Sequence, residues 1–554
     1  MAQTWEFRLN PSPILAGLAA TALLVSSATA QTPAGFQPSA DNIRAHVSFL
    51  ASDLLEGREA GSKGYDIAAG YVASQFAQLG LKPAGQDGTY FQTVPLVAFR
   101  PAEEGVFTVR GKDGVAAPLV FGEEVLSGRN AGPRDHKVSA PLVFAGWGVV
   151  APEKKHDDYK GLNVKGKIVV VLTGGPPGFQ TEERAFYGNA RTKQLAAAKA
   201  GAVGVIYVST PKDEARRPFV EGKRTWRAWS MTWRGPDGKG FEAAPGAPGL
   251  GSVSVKGAEK LFAGAPKTFA EVAATADSGK GAVPRFPLTT SLDVTLRTEV
   301  KTIQSANVGG LIEGSDPKLK DEVIVLSAHL DHIGVTAPLN GDEINNGALD
   351  NAGGIATTLE VARGFREIGK APRRSVLFLA VTAEEKGLLG AEYFARNPTV
   401  PGALVANVNL DMPILTYDFL DVVAFGAERS TLAPAVQRAA QRVGVALSPD
   451  PMPEEGLFTR SDHFRFVEVG VPSTFLMTGF QNGGEAKFRG FLKDCYHKPC
   501  DDLGQGIDYA AGAKFARINY EIARELADAD ARPQWNKGDF FGTRFAPAHA
   551  IADR

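Results

Sequence analysis

Residues 295–530 alternate between short apolar runs and amphipathic segments. The apolar runs are almost unbroken, which is typical of strands buried on both faces: DEVIVLSAHLDH, SVLFLAVTAEE, ALVANVNLDM and VPSTFLM. Each run is followed by a segment with the helical period: GGIATTLEVARGF, GLLGAEYFA, STLAPAVQRAAQRVG and IDYAAGAKFARINYEIARELADA. This order predicts an α/β fold in which helices flank a mixed, mostly parallel sheet.

The chain before residue 291 has two other patterns. Residues 31–125 begin with two helical patterns, ADNIRAHVSFLASDLLEG and YDIAAGYVASQFAQLG, separated by the glycine-rich turn GREAGSKG. From about residue 126 to 290, short β-like runs such as GKIVVVLTG and GVIYVST alternate with Gly/Pro turns. One helix, TKQLAAAKAGA, interrupts them, and residues 225–251 are rich in loop residues. Because this segment has its own strands and turns but no cluster of candidate ligands, we predict an inserted β-rich domain.

The first 30 residues have the features of a secretory signal peptide. The apolar run Ile14–Val25 is too short to span a bilayer, and an A-x-A cleavage pattern at 28–30 precedes Gln31. Arg8 is the only basic residue before the apolar run and Glu6 offsets its charge, so an N-terminal membrane anchor is the alternative. We expect a protein exported to the periplasm or the extracellular space, with no membrane contact after cleavage of the signal.

Composition limits the class of protein. Hydrophobic residues make up 44% of the chain and charged residues 22%, which is ordinary for a globular protein with ample core material. The 60 Lys and Arg residues nearly cancel the 61 Asp and Glu residues. This balance argues against a nucleic-acid partner, because phosphate contacts need a basic surface.

The chain has two cysteines, Cys495 and Cys500, both in the segment DCYHKPC. In an oxidising compartment the expected state of such a pair is a disulfide. The alternative is a zinc site formed by both thiolates and His497, which would need a fourth ligand and a reducing environment. We therefore predict a disulfide, whose small loop fixes the geometry of the residues between the cysteines.

Histidines and carboxylates recur where the predicted strands end. Ligands of open α/β sheets bind beyond the carboxyl ends of the strands. The residues at or near these ends are His329, Asp331, His332, Asp350, Glu384, Glu385, Asp411, His497, Asp501 and Asp502. So many carboxylates at one sheet edge would repel one another unless cations neutralised them. The mixture of histidine and carboxylate suits zinc better than calcium or magnesium, which prefer shells made entirely of oxygen.

At this point a family resemblance is clear. The motifs SAHLDHIG, NNGALDNAGGIA, TAEEKGLLGAEYFA, VNLDM, SDHFRF and YHKPCDDL resemble, in order and spacing, those of the M28 family of zinc peptidases. The early segment LASDLLEGREAGSKG is similar to the N-terminal part of that family. The insertion is similar to a protease-associated (PA) domain, with YKGLNVKGKIVVVLTG and KAGAVGVIYV as its characteristic runs.

The resemblance implies a pair of zinc ions bound by five residues. Asp350 would bridge the two ions. The other implied ligands are His329 and Asp411 at one ion, and Glu385 and His497 at the other. A carboxylate that bridges two metals lets one water and one substrate carbonyl be polarised together.

The resemblance also implies roles for neighbouring residues. Glu384 would be the general base, and a cis peptide bond would follow Asp350. Asp331 is placed to accept the second N–H of the His329 imidazole and fix its tautomer. His332 is not expected to be a ligand, because residues three apart at a strand-to-loop exit do not share a face.

Three further residues match family motifs near the site. Asp462 and His463 are interpreted as supporting groups close to the substrate, and Tyr496 is a candidate for contact with the transition state. For Tyr496, packing alone is the alternative.

The resulting functional prediction is a secreted di-zinc exopeptidase, foremost an aminopeptidase acting on peptides. A carboxypeptidase would need an arginine-rich pocket; Arg460 and Arg489 are candidates, but they form no cluster in the sequence. A glutaminyl cyclase would need only one metal, whereas this chain keeps residues for two. A non-catalytic, receptor-like module would lack ligands or the base, and none is missing.

These readings divide the chain into five predicted parts. They are a signal peptide (1–30), the N-terminal part of the catalytic domain (31–125), the inserted PA-like domain (126–290), the di-zinc catalytic domain (291–530) and a C-terminal tail (531–554).

Overall fold

The computed structural model of the protein describes residues 35–131, 134–241, 244–547 and 551–552. The predicted signal peptide lies outside the described residues. Among the helices of the described part, none has both the length and the apolar character needed to cross a membrane.

The N-terminal segment packs two helices beside the first strands of the main sheet. Its elements are α1 (Ala40–Leu50), α2 (Lys63–Gln78), β1 (Lys82–Pro83) and β2 (Phe91–Pro101). The first predicted helix is shorter than its pattern, because α1 ends at Leu50 and a 3₁₀ turn, Asp53–Arg58, follows it. The hydroxyl of Ser52 accepts a hydrogen bond from the amide of Leu54 at the start of this turn, which separates it from α1.

The insertion forms a second sheet with its own hydrophobic core. Its elements are β3 (Val106–Arg110), β4 (Ala116–Pro118), β5 (Val125–Ser127), β6 (Asp135–Phe144), β7 (Val150–Ala151), β8 (His156–Asp157), β9 (Ile168–Leu172), α3 (Thr181–Gly188), α4 (Ala190–Lys199), β10 (Gly204–Val208), α5 (Pro211–Arg216), β11 (Ser230–Trp233), β12 (Gly249–Val253), α6 (Val255–Leu261), α7 (Phe269–Ser278) and β13 (Phe286–Ile312). The strand order is β5–β12–β10–β9–β6–β13–β3–β4. Two strands lie where the sequence suggested only loop: β12 in this second sheet, and β11, which pairs with β2 of the main sheet. Helices α6 and α7 pack against the core of the second sheet.

One long strand belongs to both sheets. The first part of β13 pairs with β6 and β3 of the insertion, and residues from Thr298 onward pair with β2 of the main sheet. The predicted boundary at 290/291 therefore falls within a continuous strand. Such a connection leaves no flexible linker at this junction.

The rest of the chain completes the main domain. Its elements are β14 (Glu322–His329), β15 (Gly334–Leu339), β16 (Asp342–Asn345), α8 (Gly353–Glu367), β17 (Ser375–Val381), α9 (Leu389–Arg396), β18 (Ala403–Leu410), β19 (Asp421–Phe425), α10 (Leu432–Val443), β20 (Ala446–Ser448), α11 (His463–Val467), β21 (Ser473–Thr478), α12 (Gly484–Asp494), α13 (Tyr509–Asp528), β22 (Trp535–Asn536), α14 (Phe540–Phe545) and β23 (Ile551–Ala552).

The main sheet is mixed, with four parallel strands at its centre, which confirms the predicted α/β fold class. Its order is β11–β2–β13–β17–β14–β18–β21–β19–β20, with β17, β14, β18 and β21 parallel to one another. β13 is antiparallel to β2 and β17, whereas β19 is antiparallel to β21 and parallel to β20. Along β14, Ile324 and Leu326 belong to a core that includes α1, α2, α8 and α13. The alternate residues Val323 and Val325 pack with α9 on the opposite face. Helices thus cover both faces, as the unbroken apolar runs predicted.

The C-terminal tail is part of the fold. Trp535 is buried, and its indole donates a hydrogen bond to the carbonyl of Gly470 at 2.8 Å. In α14, Phe541 and Phe545 pack edge-on against Phe186 of the insertion. These contacts come from single aromatic residues, so the segment has no periodic pattern in the sequence.

Candidate metal centre

The predicted site residues meet at one edge of the main sheet. Strands β14, β17 and β18 are parallel neighbours, so their carboxyl ends lie side by side. His329 ends β14 and lies opposite Val381, the last residue of β17. Glu384 follows β17 by three residues, and Asp411 immediately follows β18. The parallel order therefore brings together residues that are distant in sequence.

One half of the site surrounds the imidazole of His329. Its Nε2 lies 3.2 Å from Oδ1 of Asp350 and 3.1 Å from Oδ1 of Asp411. Its Nδ1 lies 3.0 Å from the backbone carbonyl of Asp331. Because a carbonyl can only accept, Nδ1 carries a proton and Nε2 is directed at the two carboxylates. The partner of Nδ1 is thus the backbone of Asp331 and not the carboxylate that the sequence analysis expected.

The other half of the site surrounds Glu385. Its Oε2 lies 3.0 Å from Nε2 of His497, and its Oε1 lies 2.8 Å from Nδ1 of His332. Oδ2 of Asp350 lies 3.4 Å from Nε2 of His497. Asp350 therefore presents one carboxylate oxygen to each half of the site, which is the arrangement of a bridging ligand. The peptide bond between Asp350 and Asn351 is cis, as predicted.

His332 lies in the site, and the expectation that the strand exit would turn it away was wrong. Its backbone amide donates to the carbonyl of Arg58 at 3.2 Å, so the loop after β14 folds back toward the same sheet edge. The ring is fully buried and, among the described residues, neither ring nitrogen has an aligned hydrogen-bond partner. His332 and His497 thus lie on either side of Glu385.

The donor set fits zinc. Two groups of side chains place their ligand atoms close enough together to hold an ion: His329, Asp350 and Asp411 in one, and His332, Asp350 and Glu385 in the other. The buried carboxylates would repel one another without a cation, and histidine with carboxylate is a donor set that zinc accepts. Nε2 of His332 is buried and has no hydrogen-bond partner among the described residues, and a buried polar atom of this kind is also satisfied by a metal ion.

The histidines and carboxylates of the site shift one another's pKa values. Burial and Asp350 act to raise the pKa of Glu385, yet His332 and His497 outweigh them and lower it to about 2. Burial acts to lower the pKa of His497, but Asp350 and Glu385 raise it to about 10. Burial also opposes charge on His329, and the nearby carboxylates hold its pKa well above the usual value. Because a histidine binds zinc in its neutral form, a metal at this site would compete with protons for these imidazoles.

Glu384 differs from its neighbour Glu385. Burial raises the pKa of Glu384 well above its usual range; His329 opposes this, and the charges of Glu385 and Asp411 add to it. The carboxylate of Asp331 accepts hydrogen bonds from the backbone amides of Glu384 at 3.0 Å and of Glu385 at 3.3 Å. Asp331 thus fixes the backbone at the end of β17, which holds both glutamates in place.

A cavity of about 260 Å³ opens beside these groups. Its polar wall includes His329, Asp350, Glu384, Asp411 and His497. Its apolar wall is formed by Met412, Leu457, Phe475, Met477, Phe488 and Leu492. Tyr496 also lines the cavity, and its ring centroid lies 3.8 Å from that of His497. Glu384 therefore faces space that a substrate can enter.

Asp462 and His463 lie behind the cavity and do not line it. Both are fully buried, and His463 stacks on Phe475 with ring centroids 5.4 Å apart. Burial lowers the pKa of His463 to about 3, so its ring is neutral. The pKa of Asp462 is raised to about 8, first by burial and then by Asp411 and Asp331 against the opposing effect of His329. Their assignment to substrate binding stays a prediction.

Two further residues, Asp501 and Ser461, support the site through contacts that the sequence did not predict. The carboxylate of Asp501 accepts hydrogen bonds from the amides of Leu349 at 2.9 Å and Asp350 at 3.0 Å. Ser461 donates from its hydroxyl to Oδ2 of Asp411 at 2.6 Å. Asp501 had been noted beside His497, but sequence spacing gives no sign that its partner is the backbone around residue 350.

The structure joins Cys495 to Cys500, as predicted. The disulfide encloses Tyr496 and His497 in its loop and immediately precedes Asp501. One short segment therefore carries a candidate ligand, a cavity residue and the carboxylate that holds the amide of Asp350.

Two parts of the chain match models of known protein families. Residues 307–523 match the model of peptidase family M28, and residues 138–246 match that of the PA domain. Leupeptin-inactivating enzyme 1 of Streptomyces exfoliatus is 27% identical over 219 residues, which are 38% of this chain and 46% of that protein. A probable zinc metalloprotease of Pyricularia oryzae is 27% identical over 270 residues, 41% of this chain and 51% of that protein. The chain thus spans about half the length of these curated relatives.

A solved structure resembles the whole fold. The aminopeptidase from Aneurinibacillus sp. strain AM-1 superposes with a TM-score of 0.51 at 20% sequence identity. The match covers 90% of this chain and 95% of that one. At this identity the likeness concerns the fold, including the insertion.

Proposed function

Because residues 307–523 match the model of peptidase family M28 and residues 138–246 match that of the PA domain, we propose that the protein is an exported di-zinc aminopeptidase. The observation that carries the proposal is the double cluster of donors joined by Asp350. His329 and Asp411 would complete one zinc site, and Glu385 and His497 the other. His332, 2.8 Å from Glu385, would support the second site.

Zinc bound there would polarise the peptide carbonyl and lower the pKa of the attacking water. The chain's own contribution is the placement of groups around that point. Glu384 faces the cavity, and a cation bound at the neighbouring ligands would favour its ionised form against the burial that raises its pKa, so its carboxylate could accept the proton of the water. It would then deliver this proton to the leaving amine nitrogen. Asp331 would fix the backbone from which the Glu384 side chain reaches this point, because it accepts a hydrogen bond from the Glu384 amide.

The cavity favours attack near a chain end. Its volume of about 260 Å³ suits a single side chain, and most of its wall away from the ligands is apolar, with Glu455 and Arg460 as charged lining residues. We infer that an N-terminal residue occupies it, with the next peptide bond over the ligand cluster. The PA domain, whose α3 packs beside the site, would restrict access to longer chains.

Two arginines bear on the choice between aminopeptidase and carboxypeptidase. Arg460 pairs with Glu455 at 3.2 Å, and Arg489 pairs with Glu485 at 2.9 Å. Neither therefore offers an uncompensated guanidinium to a substrate carboxylate, which supports aminopeptidase action. The presence of donors for two metals argues against a single-metal cyclase and against a non-catalytic module.

Export is supported by the disulfide, which persists in oxidising compartments, together with the predicted signal peptide.

The proposed function is tested with paired substrates and metal analysis. We expect hydrolysis of an aminoacyl-p-nitroanilide and none of the same compound with an acetylated amine. Two zinc ions per chain are expected, with activity abolished by a chelator and restored by zinc. Cleavage of the acetylated compound at an equal rate, or a preparation active without metal, would contradict the proposal.

A further inference from the structure

Arg58 is a buried cation that donates only to backbone carbonyls. It is 1% exposed. Its Nε donates to the carbonyl of Leu330 at 2.9 Å and its Nη2 to that of Gly347 at 3.1 Å. Its Nη1 donates to the carbonyls of Asn346, at 2.6 Å, and Leu50. One guanidinium thus connects three separate stretches of chain.

Two of these stretches carry candidate ligands. Leu330 lies between His329 and Asp331, at the end of β14. Asn346 and Gly347 lie in the loop that leads to Asp350. The reverse contact also exists, because the backbone carbonyl of Arg58 accepts from the amide of His332. Arg58 therefore fixes the distance between the loop of His329 and the loop of Asp350.

The local backbone is shaped to bring Arg58 to this position. Gly57 and Arg58 both have positive φ, at +67° and +50°. A Cβ at Gly57 would lie 2.3 Å from the carbonyl oxygen of Asn345, so only glycine permits this approach. Gly347, at φ +62°, is equally confined, because a Cβ there would lie 2.3 Å from the carbonyl oxygen of Asp350.

The charge of Arg58 suits the site above it. Among the described residues it forms no ion pair, although its charge is buried. Burial lowers its pKa to about 10, and Asp501, Asp331, Asp350 and Glu385 act in the opposite direction. The guanidinium remains charged at neutral pH, and carboxylates of the metal centre are the groups that stabilise it.

We propose that Arg58 is a positioning residue of the metal centre, which sets the spacing of the two ligand loops by bonding to their carbonyls. The inference rests on the proposed function, because it assumes that zinc binds between these loops. A lysine at this position would keep the charge, but its single ammonium group cannot serve four carbonyls in three stretches of chain.

The chain offers a matched control in Arg374. It is also fully buried, and its guanidinium donates to backbone carbonyls of Leu526, Ala529 and Asp530, with Glu322 as an additional partner. These groups lie at the opposite end of β14 and β17, away from the candidate ligands. Arg374→Lys should therefore lower stability without affecting the metal.

The experiment measures zinc affinity of the folded proteins by competition with a chromophoric chelator, alongside kcat and KM. We expect Arg58→Lys to bind zinc about 10–100-fold more weakly than wild type, the usual cost of losing a group that supports metal ligands. Arg374→Lys should bind zinc within about twofold of wild type. Excess zinc should restore much of the kcat of Arg58→Lys while KM stays close to the wild-type value.

The outcomes separate the inference from the proposed function. Wild-type zinc affinity in folded Arg58→Lys refutes the inference alone, as does equal weakening in Arg374→Lys. Failure of Arg58→Lys and Arg58→Gln to fold, when Arg374→Lys folds, makes Arg58 a general folding residue and overturns the inference. Absence of tightly bound zinc from the wild type refutes the proposed function and the inference together.

Discussion

The adjacent glutamates provide the sharpest test of how the site works. Glu384→Gln and Glu385→Gln are the same isosteric change at neighbouring positions, and each removes one negative charge. The structure assigns the two side chains different surroundings. Glu385 lies within 3.0 Å of two imidazoles, whereas Glu384 faces the cavity. The same substitution should therefore cause two different defects.

Glu384→Gln should leave the metal bound and remove the base. Proton transfer by a placed side chain contributes about 10²–10⁴-fold to rate, which corresponds to about 2.7–5.5 kcal/mol in the activation free energy. We expect kcat to fall by this factor, with zinc content unchanged and KM within a few fold of wild type. The backbone should keep its place, because Asp331 holds the amide of Glu384 and not its side chain.

Glu385→Gln should instead weaken the metal. The amide that replaces the carboxylate is a poorer metal ligand. Its NH₂ group would also face a ring nitrogen of either His332 or His497, where the carboxylate accepted a hydrogen bond from a protonated imidazole. The loss in zinc affinity should be at least the 10–100-fold that an outer supporting group causes. Excess zinc should partly restore activity in this variant and not in Glu384→Gln.

The assay combines steady-state hydrolysis of an aminoacyl-p-nitroanilide with zinc analysis after gel filtration. Circular dichroism verifies that both variants are folded. Full turnover by Glu384→Gln with two zinc ions bound would refute the assignment of the base. Loss of zinc from Glu384→Gln and its retention by Glu385→Gln would show that the two roles are reversed.

Three further predictions concern stability. Removal of zinc should lower the melting temperature, because zinc at 1,000 times its Kd contributes about 4 kcal/mol; a melting temperature independent of zinc concentration would contradict this. Lys193 is buried, donates to the carbonyl of Leu172 at 2.6 Å, and has its pKa lowered by burial to about 7. Between pH 7 and the usual pKa of lysine, the unfolded chain binds one more proton at Lys193 than the folded protein does. The free energy of unfolding of the wild type should therefore increase relative to that of Lys193→Met by about 1.4 kcal/mol per pH unit as the pH rises, as measured by chemical denaturation. A difference between the two proteins that does not change with pH would contradict this. Replacing both Cys495 and Cys500 by Ser should lower the free energy of unfolding by about 2 kcal/mol, as the loop-entropy relation gives for so short a loop. It should also weaken zinc binding, because His497 lies within this loop. Unchanged zinc affinity would show that the position of His497 does not depend on the disulfide.

Much of the fold could be predicted because the main domain is made of buried strands and amphipathic helices. Runs such as SVLFLAV are apolar throughout, since residues on both sides of β17 are covered by helices. The same logic identified His329, Glu384 and Asp411 as residues at strand ends. It did not reveal β11, β12 or the tail, where short elements pack by a few residues and leave no period.

The errors at the site have a common physical origin. His332 was expected outside it, and Asp331 was expected to bond through its carboxylate to His329. Both expectations treated the exit from β14 as an isolated strand end. In the structure, the loop is held by Arg58 from another segment, and the Asp331 carboxylate is taken by the amides of Glu384 and Glu385. Local spacing contains no information about these partners.

The sequence by itself determined the order of strands and helices, the residue types at the strand ends and the chemistry that these types can perform. Periodicity and donor chemistry are local properties, so they can be read along the chain. Only the tertiary structure decided which carboxylate oxygen faces which imidazole, how Asp501 and Arg58 hold the loop of Asp350, and that β13 joins the two sheets. These depend on contacts between segments as far as 289 residues apart, which are selected by the packing of the whole fold.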